Sequence, residues 1–189
     1  MNAHPFLWVR DSSRKLLFWI CAALAALTMI ALQLLGGPLK TEVSPTGIVS
    51  FELAGSVTNV DRILRSWDPN TRVYAGLNLG LDYLFIDAYV VAIGLGCVLV
   101  AGSLGRHGRL LGVAGALLAW GVLLAGALDC VENYALIKLL LGSQANILAV
   151  VARACAIPKF LIVLLGLLYV IIGAIVSSVL GMQGRQSAA

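Results

Sequence analysis

The chain has 189 residues, of which 60% are hydrophobic and 12% are charged. A soluble domain carries about 25% charged residues, so this composition excludes an ordinary water-soluble globular protein. The net charge is +4, and the basic residues fall in clusters too short for a nucleic-acid-binding surface, so we expect no nucleic-acid partner.

Four long apolar runs account for this composition. They cover about residues 16–35, 83–104, 110–128 and 160–180. Each run is close to the ~20 residues that a helix needs to cross a hydrocarbon layer ~30 Å thick. We therefore predict an all-α membrane protein, a four-transmembrane-helix bundle in which residues 1–189 form a single membrane domain. With their less apolar extensions, the spans are placed at about residues 16–35, 78–104, 110–135 and 147–181.

The basic residues predict how the four spans are oriented. Three basic clusters would lie on one side of the membrane if all four runs cross it, before the first span, between the second and third, and after the fourth: Arg10, Arg14, Lys15, Arg106, Arg109 and Arg185. The long loop on the other side carries four basic and four acidic residues, so its charges balance. By the positive-inside rule both termini are cytoplasmic, and we expect a multi-pass protein of the inner (cytoplasmic) membrane. The first run is longer than the ~7–15 apolar residues of a signal peptide, so we expect it to remain as a span.

The loop of about residues 36–77 is expected to be extracytoplasmic and ordered. In its first half, residues 41–53, apolar and polar side chains alternate from Val49 to Leu53, which is the period of a half-buried strand. Pro45 and Gly47 supply the residues of a tight turn. These features predict a short hairpin.

The second half of the loop has the pattern of an amphipathic helix. Its apolar residues at helical spacing are Val60, Ile63, Leu64 and Trp67. Thr58 is the predicted N-cap, and Pro69 is predicted to end the helix. We expect the helix on the outer membrane surface with Trp67 at headgroup level. It is either a lid packed on the outer end of the bundle or a separate surface for a protein partner.

Apolar character continues past the third span and begins before the fourth. A helix over residues 110–141 would be about 48 Å long, which exceeds the hydrocarbon thickness. Either the helices tilt strongly, or the hairpin around residues 141–146 projects outward. Pro158 is expected to bend the last helix.

Ionisable residues gather at one depth, toward the loop side of the spans. On the third span Asp129, Glu132 and Asn133 share one helix face, and Lys159 lies beside the fourth. Charges inside a span are costly, so we expect these residues to face one another. The candidate binding residues are Asp87, Asp129, Glu132, Asn133 and Lys159.

Only one of the two carboxylates on the second span can belong to this group. Asp82 and Asp87 are five residues apart, about 140° around a helix, so both cannot point into one tight site. We predict that the deeper Asp87 meets Asp129 and Glu132, whereas Asp82 caps the helix or meets the loop. Asp82 shares a helix face with Tyr89, two turns further along.

The chemistry of this group has three interpretations. Lys159 could neutralise Asp129 or Glu132 as a structural latch, or the crowded carboxylates could form a binding or proton-handling site. Oxygen donors could also hold a hard cation such as Mg²⁺ or Ca²⁺, but both histidines lie far from the acids and no C-x-x-C pair occurs. We predict no metal, no cofactor and no catalytic residue.

Two functions follow from these interpretations. The first is a non-catalytic accessory or scaffolding protein of the cytoplasmic membrane, whose partners are lipids and a protein bound through the outer loop or the helix faces. The second is a carrier or enzyme for a small or lipid-like molecule, with Asp87, Asp129 and Glu132 in an outward-opening pocket. A paired Lys159 without a cavity favours the first function, and an apolar pocket with unpaired carboxylates favours the second.

A set of short motifs resembles a pattern in uncharacterised four-span bacterial membrane proteins. The motifs are FELAG at residues 51–55, Trp67, LDYLF at residues 81–85 and LDCVEN at residues 128–133. The resemblance implies a four-span fold and no particular function.

Overall fold

The computed structural model describes residues 4–105 and 108–186, and side chains up to residue 179. Arg106, which contributes to the predicted orientation, lies outside the described residues, and so does the side chain of Arg185. The described residues form six α-helices and no strand. The helices are α1 (Asp11–Gly36), α2 (Ile48–Glu52), α3 (Val57–Ser66), α4 (Pro69–Leu104), α5 (Arg109–Leu140) and α6 (Asn146–Gln186).

Within the described part of the chain, four helices are long and apolar enough to cross a membrane: α1, α4, α5 and α6. The chain is therefore a multi-pass helical membrane protein, as its hydropathy predicts. The two short helices, α2 and α3, lie in the connection between α1 and α4.

Helix α4 lies at the centre of the bundle, in contact with α1, α5 and α6. Small residues allow this close packing, as is usual for helices in lipid. A Cβ atom at Gly126 of α5 would lie 2.5 Å from Cγ2 of Val90 in α4, and one at Gly166 of α6 would lie 2.9 Å from Cγ2 of Ile93. Glycine is required at both positions because the facing helix occupies the space of a side chain.

The predicted hairpin in residues 41–53 is wrong. The turn is present, since the backbone N–H of Gly47 donates to the carbonyl of Ser44 at 2.9 Å, but the residues after it form the short helix α2. Gly47 and Gly55 have positive φ values of 64° and 68°, and the backbone reverses at both ends of this segment. An alternation of only five residues fits one and a half turns of helix as well as it fits a strand.

Helix α3 is the predicted amphipathic helix, with Ser56 rather than Thr58 as its N-cap. Its apolar side chains are buried with α2 and the loop-side ends of α4, α5 and α6. Trp67 is 1% exposed, and its indole N–H donates to the carbonyl of Leu39 at 3.0 Å. This packing agrees with the lid interpretation, whereas the outer location of the loop and its use as a partner surface stay predictions. The expectation that Trp67 lies among lipid headgroups is wrong, because its side chain is buried.

The long membrane helices continue well past the predicted spans. Helix α4 has 36 residues, about 54 Å at 1.5 Å per residue, and it begins at Pro69 behind an Asp68 N-cap. Helices α5 and α6 are joined by residues 141–145. Pro158 lies inside α6, which continues on both sides of it, and the expected bend stays a prediction.

Candidate binding site

A buried lysine joins α6 to α5. The Nζ atom of Lys159 lies 2.7 Å from Oδ1 of Asp129 and 2.8 Å from Oε2 of Glu132. The two carboxylates are three residues apart on α5, so the helix presents both on one face. All three side chains are buried. The latch predicted from the sequence is present as a pair of short ion-pair contacts.

Two polar side chains of α4 extend this group. The hydroxyl of Tyr89 donates to Oδ2 of Asp129 at 2.9 Å, so both oxygens of Asp129 have a partner. One turn of helix beyond Asp129, the amide of Asn133 donates to Oδ2 of Asp82 at 2.6 Å. Asp82 and Tyr89 are seven residues apart, which places them on one face of α4.

Of the predicted site residues, Asp129, Glu132, Asn133 and Lys159 are brought together and Asp87 is not. Asp87 is exposed on a different face of α4, and Asp82 takes the place predicted for it. A tyrosine on the same helix face did not distinguish the two aspartates in the sequence, since Asp82 shares its face with Tyr89 and Asp87 shares its face with Tyr83.

Glu52 was not predicted from the sequence as a site residue. It lies at the end of α2, where it is 9% exposed, and its carboxyl group is close to that of Glu132. Burial raises the pKa of Glu52 from 4.5 to about 7; Lys159 opposes this increase, and Asp82 and Asp129 add to it. Two ionised carboxylates repel each other and can only accept hydrogen bonds, so the closeness of Glu52 and Glu132 favours a proton on one of them.

Four carboxyl groups thus surround one ammonium group. We call this set the carboxylate cluster: Glu52 from α2, Asp82 from α4, and Asp129 and Glu132 from α5. Oε2 of Glu52 and Oε1 of Glu132 have no hydrogen-bond donor among the described residues. Since an unpaired buried charge is costly, the cluster has room for a further positive charge or proton.

A cavity of about 860 Å³ opens from the carboxylate cluster into the bundle. Its polar wall includes Glu52, Asp82, Asp129, Asn133 and Lys159. The rest is mainly apolar and is contributed by α1, α4 and α6, down to Phe18, Ile93 and Ile171. The volume lies within the range of about 300–1,000 Å³ that is usual for small-molecule sites.

The shape of this cavity follows from how the helices pack. Helix α1 packs on α4, and α6 packs on α4 and α5, so α4 forms the floor between two flanking helices. From Lys159 to Ile171 the cavity follows α6 for about 18 Å. We call it the lateral groove. Residues of the loop, among them Lys40, Thr46 and Glu52, line its polar end.

No set of three or more His, Cys, Asp or Glu residues in the described ranges is arranged to hold a metal ion.

Comparisons with protein-family models, with curated proteins and with solved structures gave no match. The resemblance to four-span bacterial membrane proteins therefore stays a prediction, and the function has to be argued from the geometry of the site.

Proposed function

We propose that this protein binds a lipid-like amphiphile in the lateral groove, with its polar head at the carboxylate cluster and its apolar tail along α6. The observation that supports this proposal most strongly is the continuity of the cavity. A single space connects buried carboxylates to a long apolar wall, and an amphiphile has the same division into a polar end and an apolar end.

The depth of the cluster agrees with such a ligand. About 20 residues of helix span ~30 Å of hydrocarbon. Counted from the end of α4 at Leu104 this length reaches residue 84, and counted from the start of α5 at Arg109 it reaches residue 129. Asp82 and Asp129 therefore come at the loop-side edge of the hydrocarbon, where the head of a lipid lies.

The distribution of basic residues supports an orientation for this site. With both termini on the cytoplasmic side of a bacterial inner membrane, the groove would take its ligand from the outer leaflet. The projecting ends of α4, α5 and α6 would then carry α2 and α3 as an extracytoplasmic lid over the polar end. We assign no reaction and no catalytic residue to the site.

The test is to block the groove without touching its polar end. Ala22 of α1 lines the groove, whereas the neighbouring Ala23 is exposed and lies outside the groove lining. We expect the purified chain in a maltoside detergent to bind 1-pyrenedodecanol saturably. Ala22→Trp should weaken binding by at least about tenfold, ~1.4 kcal/mol, and Ala23→Trp should leave it unchanged. Equal binding by both variants, or no binding above that of empty micelles, would reject the groove as the site.

A second candidate function, the non-catalytic scaffold, is favoured by one observation. Lys159 is paired with both Asp129 and Glu132, as a structural latch requires. In that case the partner is a protein bound through the loop or the helix faces. The lateral groove beside the latch favours the amphiphile, and substitution of Glu132 separates the two proposals, as argued in the Discussion.

A further inference from the structure

We infer that the ligand of the lateral groove carries a cationic amine head, which the carboxylates of Glu52 and Asp82 receive. This inference rests on the proposed function and adds the chemical class of the head to it. Both residues line the groove, and they come from different elements, α2 and α4.

Negative groups outnumber positive groups around Glu52. The ionisable groups that face it are Asp82 from α4, Asp129 and Glu132 from α5, and Lys159 from α6. Three carboxyl groups therefore surround Glu52 with one ammonium, and Lys40 of the loop lies on the groove wall. A cation placed among these groups relieves like-charge repulsion, whereas an anionic head would increase it.

The hydrogen-bond donors near Glu52 already have other acceptors. The ammonium of Lys159 contacts Asp129 and Glu132, and Asn133 donates to one oxygen of Asp82. Glu52 is more than nine-tenths buried, yet its Oε2 atom has no donor within the described ranges. Buried carboxylate oxygens normally have a hydrogen-bond partner, and an ammonium head supplies several N–H donors at this point.

Two aromatic rings lie next to the proposed head site. Phe85 and Tyr89 lie on the groove wall, one and two turns deeper than Asp82 on α4, with ring centroids 5.1 Å apart. An ammonium near an aromatic face is attracted by the ring electrons. These rings therefore form the transition from the head site to the apolar wall.

The test compares three ligands that each have fourteen carbon atoms: tetradecylamine, tetradecanol and myristic acid. Each ligand is used to displace 1-pyrenedodecanol from the full chain in detergent at pH 7. An alkylamine is protonated at this pH, as a lysine is. We expect the amine to bind at least about tenfold more tightly than the alcohol, and the acid to bind most weakly.

Substitutions locate the head site. Glu52→Gln and Asp82→Asn should each weaken binding of the amine by at least about tenfold more than binding of the alcohol. Glu42→Gln is the matched control, because Glu42 is an exposed loop residue outside the groove lining. Tetradecanol binding also reports whether each variant keeps its folded groove.

The outcomes separate the two proposals. If none of the three ligands displaces the probe, the proposed function itself fails. If the alcohol or the acid binds as tightly as the amine, the groove stands and the cationic head is rejected. Displacement of the probe is then measured in nanodiscs of phosphatidylethanolamine and, separately, of phosphatidylglycerol. Displacement by phosphatidylethanolamine alone indicates that a membrane aminophospholipid supplies the amine. Displacement by neither lipid indicates a free alkylamine.

Discussion

Lys159 of α6 and Asp129 of α5 form a buried ion pair, with Nζ 2.7 Å from Oδ1. Because Tyr89 of α4 donates to the other oxygen of Asp129, this carboxylate joins three membrane helices. Glu132 contacts the same ammonium group of Lys159, and it lies next to Glu52 at the end of α2. The pairing that stabilises the bundle thus adjoins the carboxylates that we assign to ligand binding.

Lys159→Met tests the structural part of this arrangement. Removal of the ammonium leaves Asp129 and Glu132 buried without a positive partner, and breaking a buried ion pair costs ~3–5 kcal/mol. We expect a clear decrease in the midpoint of thermal unfolding in detergent. Lys138→Met is the control, since Lys138 is exposed on α5. An equal effect of both substitutions would contradict a stabilising role of the pair.

Glu132→Gln distinguishes the two proposed functions. If the cluster is only a latch, the substitution weakens the contact with Lys159, the midpoint of unfolding falls, and binding of amphiphiles is absent in the native chain. If the groove binds an amphiphile, the native chain binds the amine and the variant keeps this binding, because Glu132 lies outside the groove lining and Lys159 keeps Asp129 as its partner. Thermal unfolding and ligand displacement on the same preparation show which result holds.

Much of this fold could be predicted from the sequence because its dominant signal is local. A run of apolar residues predicts a membrane helix without knowledge of its neighbours, and helical spacing predicted the buried face of α3. The shared depth of Asp129, Glu132 and Lys159 was readable in the same way. Their contact then follows, since charges at one depth of a span need partners.

The errors came from features that depend on several elements at once. Asp87 was chosen over Asp82 by depth, but the rotation of α4 against α5 decides which carboxylate faces the cluster, and rotation depends on packing. Glu52 was missed because a five-residue helix between two glycines resembles a strand at that length. The lateral groove depends on the distance between α1 and α6 where they pack on α4. The sequence of any one helix does not determine this distance.

The raised pKa of Glu52 predicts a pH dependence of stability. The pKa is about 7 in the folded chain, against an ordinary value of 4.5, so folding favours the protonated carboxyl. The stability linked to this proton is fully present below pH 4.5 and is lost as the pH rises through about 7. We expect the unfolding midpoint to fall between pH 5 and pH 8, and Glu52→Gln to reduce this fall.

Glu42→Gln is the control for this pH series, because Glu42 is an exposed carboxylate of the same loop. Its midpoints should follow those of the native chain at every pH. A Glu52→Gln variant with the full native pH dependence would show that Glu52 is ionised throughout this range, which would contradict the raised pKa of Glu52.

Gly126 tests the close contact between α5 and α4. A Cβ atom there would lie 2.5 Å from Cγ2 of Val90, and a branched side chain on a packed helix has little freedom to move away. Gly126→Ala should therefore destabilise the chain by ~1–3 kcal/mol, as overpacking does. Gly80→Ala is the matched control, since nothing lies within 4 Å of its Cβ position and alanine favours the helix.

The predicted orientation can be tested with single cysteines in a chain whose four native cysteines are replaced by alanine. The positive-inside rule places the start of α1 and the joint between α4 and α5 in the cytoplasm, and the loop-side ends outside. A membrane-impermeant maleimide added to intact spheroplasts should therefore label Glu42→Cys and Ala145→Cys. It should label Ser12→Cys and Gly108→Cys only after the membrane is permeabilised. Labelling of Ser12→Cys and Gly108→Cys from opposite sides of the membrane would contradict four spans. The reverse labelling pattern at all four positions would mean that the polar end of the groove lies in the inner leaflet.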